Sequence, residues 1–131
     1  MAEIRVAVLN QVVRVVTVGQ QGPPGPSKYS LYAALLNQTG TNAPVATIAN
    51  NELSAAGVWS YVNIGIFRYT LAGAFASEKV LPFLSLGYFD GSASWQVRRI
   101  DDDVIELRTY SGLNLANGVL TDASFEIHVY P

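Results

Sequence analysis

The chain has few residues of the types that catalyse reactions or bind metals. It contains one histidine, His128, and no cysteine. Because His128 lies on the polar side of a predicted strand near Glu126, with no second histidine, we expect a surface histidine rather than a general base or metal ligand. No Gly-x-Ser-x-Gly motif, phosphate-binding loop or dinucleotide-binding glycine pattern occurs. We therefore expect a protein that is not an enzyme and holds no cofactor.

The acidic cluster Asp101-Asp102-Asp103 is the one candidate for a metal site. Carboxylates at a loop tip can ligate calcium, which takes roughly six to eight oxygens. The cluster lacks the Asp-x-Asp-x-Asp-Gly spacing that directs alternate side chains at one ion. We therefore favour a solvated turn that discourages edge-to-edge aggregation, with Arg98, Arg99 or Arg108 available to pair with it.

Aromatic residues offer another kind of site, because exposed rings provide stacking surfaces for sugars. Phe, Trp and Tyr make up 11% of the chain, and the stretch LGYFDGSASW places Tyr88 and Trp95 around a glycine turn. Aromatic side chains on strands more often belong to a core or a subunit interface. Tyr88 and Trp95 are therefore a candidate glycan-binding pair, with core or interface residues as the commoner alternative.

A collagen-like pattern lies in GQQGPPGPS, residues 19–27. Glycine occupies every third position, at Gly19, Gly22 and Gly25, and Lys28 stands where the next glycine is due. The collagen triple helix requires this period, because only glycine fits at its crowded axis. Three triplets are too short to associate unaided, so one alternative is a stiff polyproline II linker in a monomer. We favour a three-stranded stalk whose flanking elements hold the chains together, and with it a homotrimer.

Residues 1–18 carry a valine-rich pattern. After a break at Asn10-Gln11, valines form a nearly continuous apolar run, which is typical of a strand buried on both faces. This run contains Val12, Val13, Val15, Val16 and Val18. A single strand beside a stiff stalk has no partner of its own. We therefore expect residues 1–18 to anchor the protein by strand addition, on sister chains or on a larger assembly.

Residues 28–131 have the composition of a compact β domain. Short runs of alternating apolar and polar residues are separated by turn signals such as Asp90-Gly91 and Asn117-Gly118. We predict strands at residues 29–37, 43–50, 57–63, 65–72, 79–89, 93–100, 104–110 and 122–130. Their number and spacing predict an antiparallel β-sandwich or jelly-roll-like domain. The first segment, YSLYAALLN, is also compatible with a helix.

Two of these strands are predicted to form a hairpin. The stretch WQVRRIDDDVIELRTY places Trp95 and Val97 opposite Ile105 and Leu107, with the aspartates at the tip.

Bulk composition limits the classes of partner. Charged residues make up only 14% of the 131 residues, against about 25% in a typical soluble domain. A monomer of this size has a large surface to cover, so we expect part of its apolar surface to be buried between chains. A net charge of −2 provides no basic face for nucleic acid. No apolar stretch reaches the ~18 residues of a spanning helix, so we expect no membrane partner.

The stretches YSLYAALLNQTGTNAPVA (29–46) and FRYTLAGAFASEKVLPF (67–83) resemble small proteins encoded by tailed phages and prophages of gut bacteria, including crAss-like phages. In that setting, a short anchor, a Gly-x-y stalk and a compact β domain together resemble a virion fibre, particularly a head fibre. The resemblance implies a structural virion protein on the capsid surface. Its N-terminus would bind capsid protein, and its β domain would face outwards. The resemblance does not specify a ligand of the β domain, for which a host-surface glycan is one candidate. A carbohydrate-binding module and a tail-fibre receptor-binding domain are the alternatives.

Overall fold

A computed structural model describes residues 28–86 and 91–131, so the predicted anchor (1–18) and stalk (19–27) lie outside the described residues. The described part contains nine β-strands, all paired antiparallel, and no helix. The strands are β1 (Ser30–Asn37), β2 (Val45–Asn51), β3 (Val58–Asn63), β4 (Ile66–Thr70), β5 (Val80–Ser85), β6 (Ala93–Asp101), β7 (Val104–Ser111), β8 (Asn114–Leu115) and β9 (Ala123–Val129). The prediction of an all-β, antiparallel domain is confirmed.

The strands form two sheets that share one core, as in a β-sandwich. Sheet I has the strand order β2-β1-β9-β5, and sheet II has the order β3-β4-β7-β6. The two-residue strand β8 pairs with the end of β7. One edge of β7 pairs with β6 along its whole length. The strand β8 therefore pairs with the same edge of β7 as β4 does, beyond the end of β4. No helix that could cross a membrane occurs in the part of the chain that the structure describes.

The core is built from alternate residues of the central strands, because successive side chains of a strand point to opposite faces. In β1 the buried residues are Tyr32, Ala34 and Leu36, and in β9 they are Ala123, Phe125 and Ile127. Sheet II contributes Phe67, Tyr69, Ile105 and Leu107. The period of two in β1, with partners on both of its edges, decides the segment YSLYAALLN in favour of a strand over a helix.

Aromatic rings join the two sheets in the centre of the core. The ring centroid of Trp59 lies 5.0 Å from that of Tyr69 and 5.2 Å from that of Phe125. The Trp59 indole N–H donates to the Tyr32 hydroxyl over 3.3 Å, and the Gly57 amide donates to the Tyr69 hydroxyl over 2.9 Å. Burial raises the pKa of Tyr69 to about 12. Aromatic side chains of both sheets therefore fill the centre of the core.

The predicted hairpin between β6 and β7 is present, but its register is shifted. In an antiparallel hairpin the prediction pairs Trp95 with Leu107 and Val97 with Ile105. In the structure Val97 pairs with Leu107 and Trp95 with Thr109. The hairpin turns between Asp101 and Val104, which pair with each other, and an irregularity between Arg99 and Asp101 then sets the pairs further along the hairpin. An irregularity of this kind changes the count of residues on one strand and moves every pair beyond it.

The turn between β3 and β4 is locked to the segment that follows β8. Gly65 has a positive φ of 68°, and a Cβ atom there would lie 2.5 Å from the Thr109 carbonyl oxygen. The Asn117 side chain accepts a hydrogen bond from the Gly65 amide (2.8 Å) and donates one to the Tyr61 hydroxyl (3.1 Å). These contacts require glycine at position 65 and hold β8 in place.

Sheet I ends at β5, and this edge strand contains a proline. Pro82 lies opposite Ile127 of β9. Because proline has no amide hydrogen, it is confined within sheets to edge strands and bulges.

Candidate functional site

The outer face of sheet I is rich in exposed apolar side chains. Its residues lie in three rows across β1, β9 and β5, which are Leu31–His128–Leu81, Ala33–Glu126–Phe83 and Leu35–Ser124–Ser85. We call the apolar members of this surface the apolar face. It comprises Leu31, Ala33, Leu35, Leu81 and Phe83 of these rows, together with Val45 of the neighbouring strand β2. Leu35, Val45, Leu81 and Phe83 are among the exposed large hydrophobic residues of the domain. Exposed apolar side chains that lie together on one face are typical of contact surfaces.

His128 and Glu126 form a hydrogen bond within the rows of the apolar face. The His128 Nε2 atom lies 2.8 Å from Glu126 Oε1. The Tyr29 ring stacks on the imidazole at 4.2 Å with an interplanar angle of 3°, and the Phe83 ring lies 5.0 Å away. Among the described residues no second histidine or cysteine accompanies it. These contacts give the imidazole a packing role on the sheet.

The chain enters the domain beside this histidine. Lys28 is the first described residue, and Tyr29 contacts both His128 and, at 5.4 Å, Tyr130. The segment that contains Gly19, Gly22 and Gly25 therefore joins the domain at one end of the apolar face.

The outer face of sheet II carries a cluster of charged side chains, beside exposed valines of β3. One row across its four strands is Ser60–Arg68–Glu106–Arg98, and Arg108 lies two residues after Glu106 on the same face of β7. We call Arg68, Arg98, Arg108 and Glu106 the arginine face. Although it lies on an outer face, Glu106 is only 1% exposed, because the three arginines cover it.

Both carboxylate oxygens of Glu106 are occupied. Arg68 Nε donates to Oε2 over 3.0 Å, and Arg68 Nη2 lies 3.0 Å from the same oxygen. Arg108 Nε and Arg98 Nη2 donate to Oε1 over 2.9 and 3.3 Å. Burial raises the pKa of Glu106, but the hydrogen bonds and positive charges of Arg108 and Arg68 outweigh it and leave the pKa below its usual value. The hydrogen bond to Glu106 in turn raises the pKa of Arg108.

Sequence reasoning assigned these arginines a different role. Arg98 and Arg108 were candidates for pairing with the aspartate cluster, whereas the structure pairs them with Glu106. Of the three candidates, Arg99 pairs with the cluster, through Asp102. The spacing of Glu106 and Arg108 on one strand indicates that these two side chains share a face. The predicted hairpin register does not place Arg98 opposite Glu106, so it did not indicate that contact.

The aspartates use their side chains to build the turn between β6 and β7. Asp101 Oδ1 accepts a hydrogen bond from the Asp103 amide, and Asp103 Oδ1 accepts one from the Gly73 amide, both over 2.8 Å. Within residues 28–86 and 91–131, no group of three His, Cys, Asp or Glu side chains is arranged to hold a metal ion.

The candidate glycan-binding pair is described only in part, because Tyr88 lies outside the described residues. Trp95 is 37% exposed and lines an open cleft of about 320 Å³. The other lining residues are Ser94, Gln96, Tyr110, Gly112 and Leu113. Because Trp95 pairs with Thr109, it lies on the core-facing side of β6, opposite to Gln96 and Tyr110. A joint site of Tyr88 and Trp95 stays a prediction.

The predicted anchor valines, Val12, Val13, Val15, Val16 and Val18, lie outside the described residues together with the stalk glycines. Comparisons of the chain with protein-family models, with curated proteins and with solved structures found no match.

Proposed function

We propose that the protein is a non-enzymatic structural component of a phage virion, a homotrimeric fibre on the capsid surface. In this proposal residues 1–18 bind capsid protein, residues 19–27 form the stalk and the β-sandwich of residues 28–131 faces outwards. The observation that carries the proposal is the position of the apolar face, which adjoins the point where the chain enters the domain at Lys28 and Tyr29.

The apolar face supplies a physical reason for self-association. Several of its side chains are about half exposed, so covering each of them contributes about 1 kcal/mol. The polar groups within its rows, Glu126 and His128, already contact each other through a hydrogen bond. Packing this face against a second copy therefore removes apolar surface from water and can keep that hydrogen bond.

The stalk explains why three copies are expected. A collagen-like stalk brings three chains together at one axis, so the three Tyr29 residues must also lie near that axis. The apolar faces of the three domains then approach each other next to the stalk. Nine residues of polyproline II chain span about 28 Å, which separates the domains from the anchor.

The anchor requires a partner with an open sheet edge. A valine-rich strand such as Val12 to Val18 gains from burial of each side chain by roughly 1.5 kcal/mol or more. Addition to a sheet of the capsid protein also satisfies its backbone donors and acceptors.

Two measurements test this function. Multi-angle light scattering of the full chain is expected to give about three times its mass of 14.1 kDa. Deletion of residues 1–18 is expected to leave a folded trimer that no longer decorates particles. A clean monomer at micromolar concentration contradicts the trimer, and normal decoration by the truncated chain contradicts the anchor. Labelling of intact particles distinguishes a head fibre from a tail-fibre receptor-binding domain.

A carbohydrate-binding module is the second candidate function. The cleft lined by Trp95 favours it, because a partly exposed indole in an open cleft offers a sugar ring a stacking surface. Loss of glycan-array binding on Trp95→Ala, in a protein that stays folded, is the expected result for this candidate. Unchanged binding contradicts a role for Trp95.

A further inference from the structure

The arginine face holds more positive charge than its carboxylate neutralises. Three guanidinium groups contact the single carboxylate of Glu106, which leaves a formal excess of two positive charges. Elsewhere in residues 28–86 and 91–131, no second acidic side chain contacts Arg68, Arg98 or Arg108. In a chain with only 14% charged residues, this concentration of charge at one place is unlike the rest of the surface.

The arginines are held in place but keep donors available. Each guanidinium group has five N–H donors, and Glu106 accepts one hydrogen bond from each of Arg68, Arg98 and Arg108. The side chain of Arg98 is 60% exposed. A buried carboxylate that fixes three arginines in this way prepares them to bind an anion, because their side chains are already partly ordered.

We propose that the arginine face binds the acidic group of a glycan, a carboxylate or a sulfate on a sugar. This inference does not rest on the trimeric fibre, because all of the residues belong to the sheet of one chain.

The neighbouring residues favour a sugar as the carrier of the acidic group. Gln96 lies opposite Arg108, and Tyr110 follows Arg108 on the same face of β7. The Tyr110 hydroxyl lies 3.3 Å from Gln96 Oε1, and both residues line the cleft of about 320 Å³. The aromatic ring can pack against the C–H groups of a sugar ring, and the amide and the hydroxyl can hydrogen-bond to the sugar hydroxyls.

The charge distribution argues against a long polyanion. Nucleic acid binding requires a basic surface that follows several phosphates. Here the same hairpin that carries Arg98 and Arg108 ends in Asp101, Asp102 and Asp103, and the chain has a net charge of −2. The surface therefore fits one localised acidic group better than a strand of phosphates.

Arg98 is the residue to change, because it is the most exposed of the three arginines and has the longest contact with Glu106. The full chain is applied to an array of sialylated, uronate-containing and sulfated glycans, each next to its neutral parent. We expect a preference for acidic glycans, and the carboxylate and sulfate series show which group is bound. For the best pair, such as sialyllactose and lactose, Arg98→Gln is expected to weaken binding by about tenfold or more.

Two further variants separate recognition from folding. Arg98→Lys keeps the charge but loses the planar fork, so we expect an intermediate affinity. Lys79→Gln removes one exposed positive charge at the start of β5 and is expected to leave the affinity unchanged. Equal binding of acidic and neutral glycans overturns the inference, as does an affinity that Arg98→Gln does not alter. Arg98-dependent binding of a DNA oligonucleotide or an anionic vesicle, without glycan binding, also overturns it. Light scattering of the same samples tests the trimer separately.

Discussion

The two outer faces of the domain each place a glutamate in the middle of a central strand, with opposite results. Glu106 in sheet II is 1% exposed, whereas the side chain of Glu126 in sheet I is 49% exposed. The cross-strand neighbours of Glu106 are Arg68 and Arg98, and those of Glu126 are Ala33 and Phe83. A carboxylate on a flat sheet face is therefore buried only where its neighbours are long enough to cover it and carry the opposite charge.

This difference separates two kinds of surface on one small domain. Sheet I presents apolar side chains that gain free energy by leaving water, and its polar residues Glu126 and His128 hydrogen-bond to each other within one strand. Sheet II presents three arginines that bind Glu106 but remain partly exposed to water. The apolar face is thus suited to contact with copies of the chain, and the arginine face to contact with an anion in solution.

The largest expected effect comes from a charge placed on the apolar face. Leu35→Glu introduces a carboxylate into a face that we propose is buried in the trimer, and three copies bring three such charges together. We expect light scattering at micromolar concentration to give the monomer mass. Val62→Glu is the matched control, since Val62 is similarly exposed (45% against 41%) on the opposite sheet. Monomers from both variants, or trimers from both, would remove the distinction between the faces.

The next effect compares the two glutamates directly. Glu106→Gln leaves three arginines without a common anion and is expected to lower the free energy of unfolding by about 2 kcal/mol. Glu126→Gln removes an exposed partner of His128 and is expected to cost less than about 1 kcal/mol. Urea denaturation of both variants at pH 7 measures the two costs. Similar costs would mean that burial by the arginines adds nothing to stability.

A pH series on the same variant sharpens the comparison. The pKa of Glu106 in the folded protein lies below its ordinary value of 4.5, so its ionised form stabilises the fold above that pH. This stabilisation is lost as the pH falls through the folded pKa. The stability gap between the wild type and Glu106→Gln is therefore expected to narrow below about pH 4.5. A gap that stays constant down to pH 3 would show that the carboxylate charge is not its source.

The smallest effect is expected at the tip of the β6–β7 hairpin. Asp102 pairs with Arg99 at an exposed position, where ion pairs contribute at most about 1 kcal/mol. Asp102→Asn is therefore expected to lower the stability by about 0.5 kcal/mol or less, measured in the same urea titration with and without added salt. A loss as large as that of Glu106→Gln would place the important charges at the turn instead.

Most of the fold followed from local patterns in the sequence. The alternation in Phe125 and Ile127, and the turn signal at Asn117-Gly118, are features of a few adjacent residues. The strand β8 was not predicted, because two residues are too few to show an alternation of apolar and polar side chains. Its position depends instead on the contact of Asn117 with Gly65, 52 residues away in the chain.

The arginine face was not predictable because it depends on pairing between distant strands. Arg68 lies 38 residues before Glu106 and meets it only because β4 pairs with β7. Arg98 is close in the sequence, but the irregularity before Asp101 sets which of its neighbours it faces. Alternation assigns a residue to a face, whereas the register decides which residues meet on that face.

Pro82 limits how molecules of this protein can meet at high local density. An exposed edge strand is a template on which another chain can add, and repeated addition leads to fibrils. At the free edge of sheet I, Pro82 removes one donor from the row that an incoming strand needs. Crowded copies can therefore pack through side chains on their sheet faces while this edge resists open-ended polymerisation.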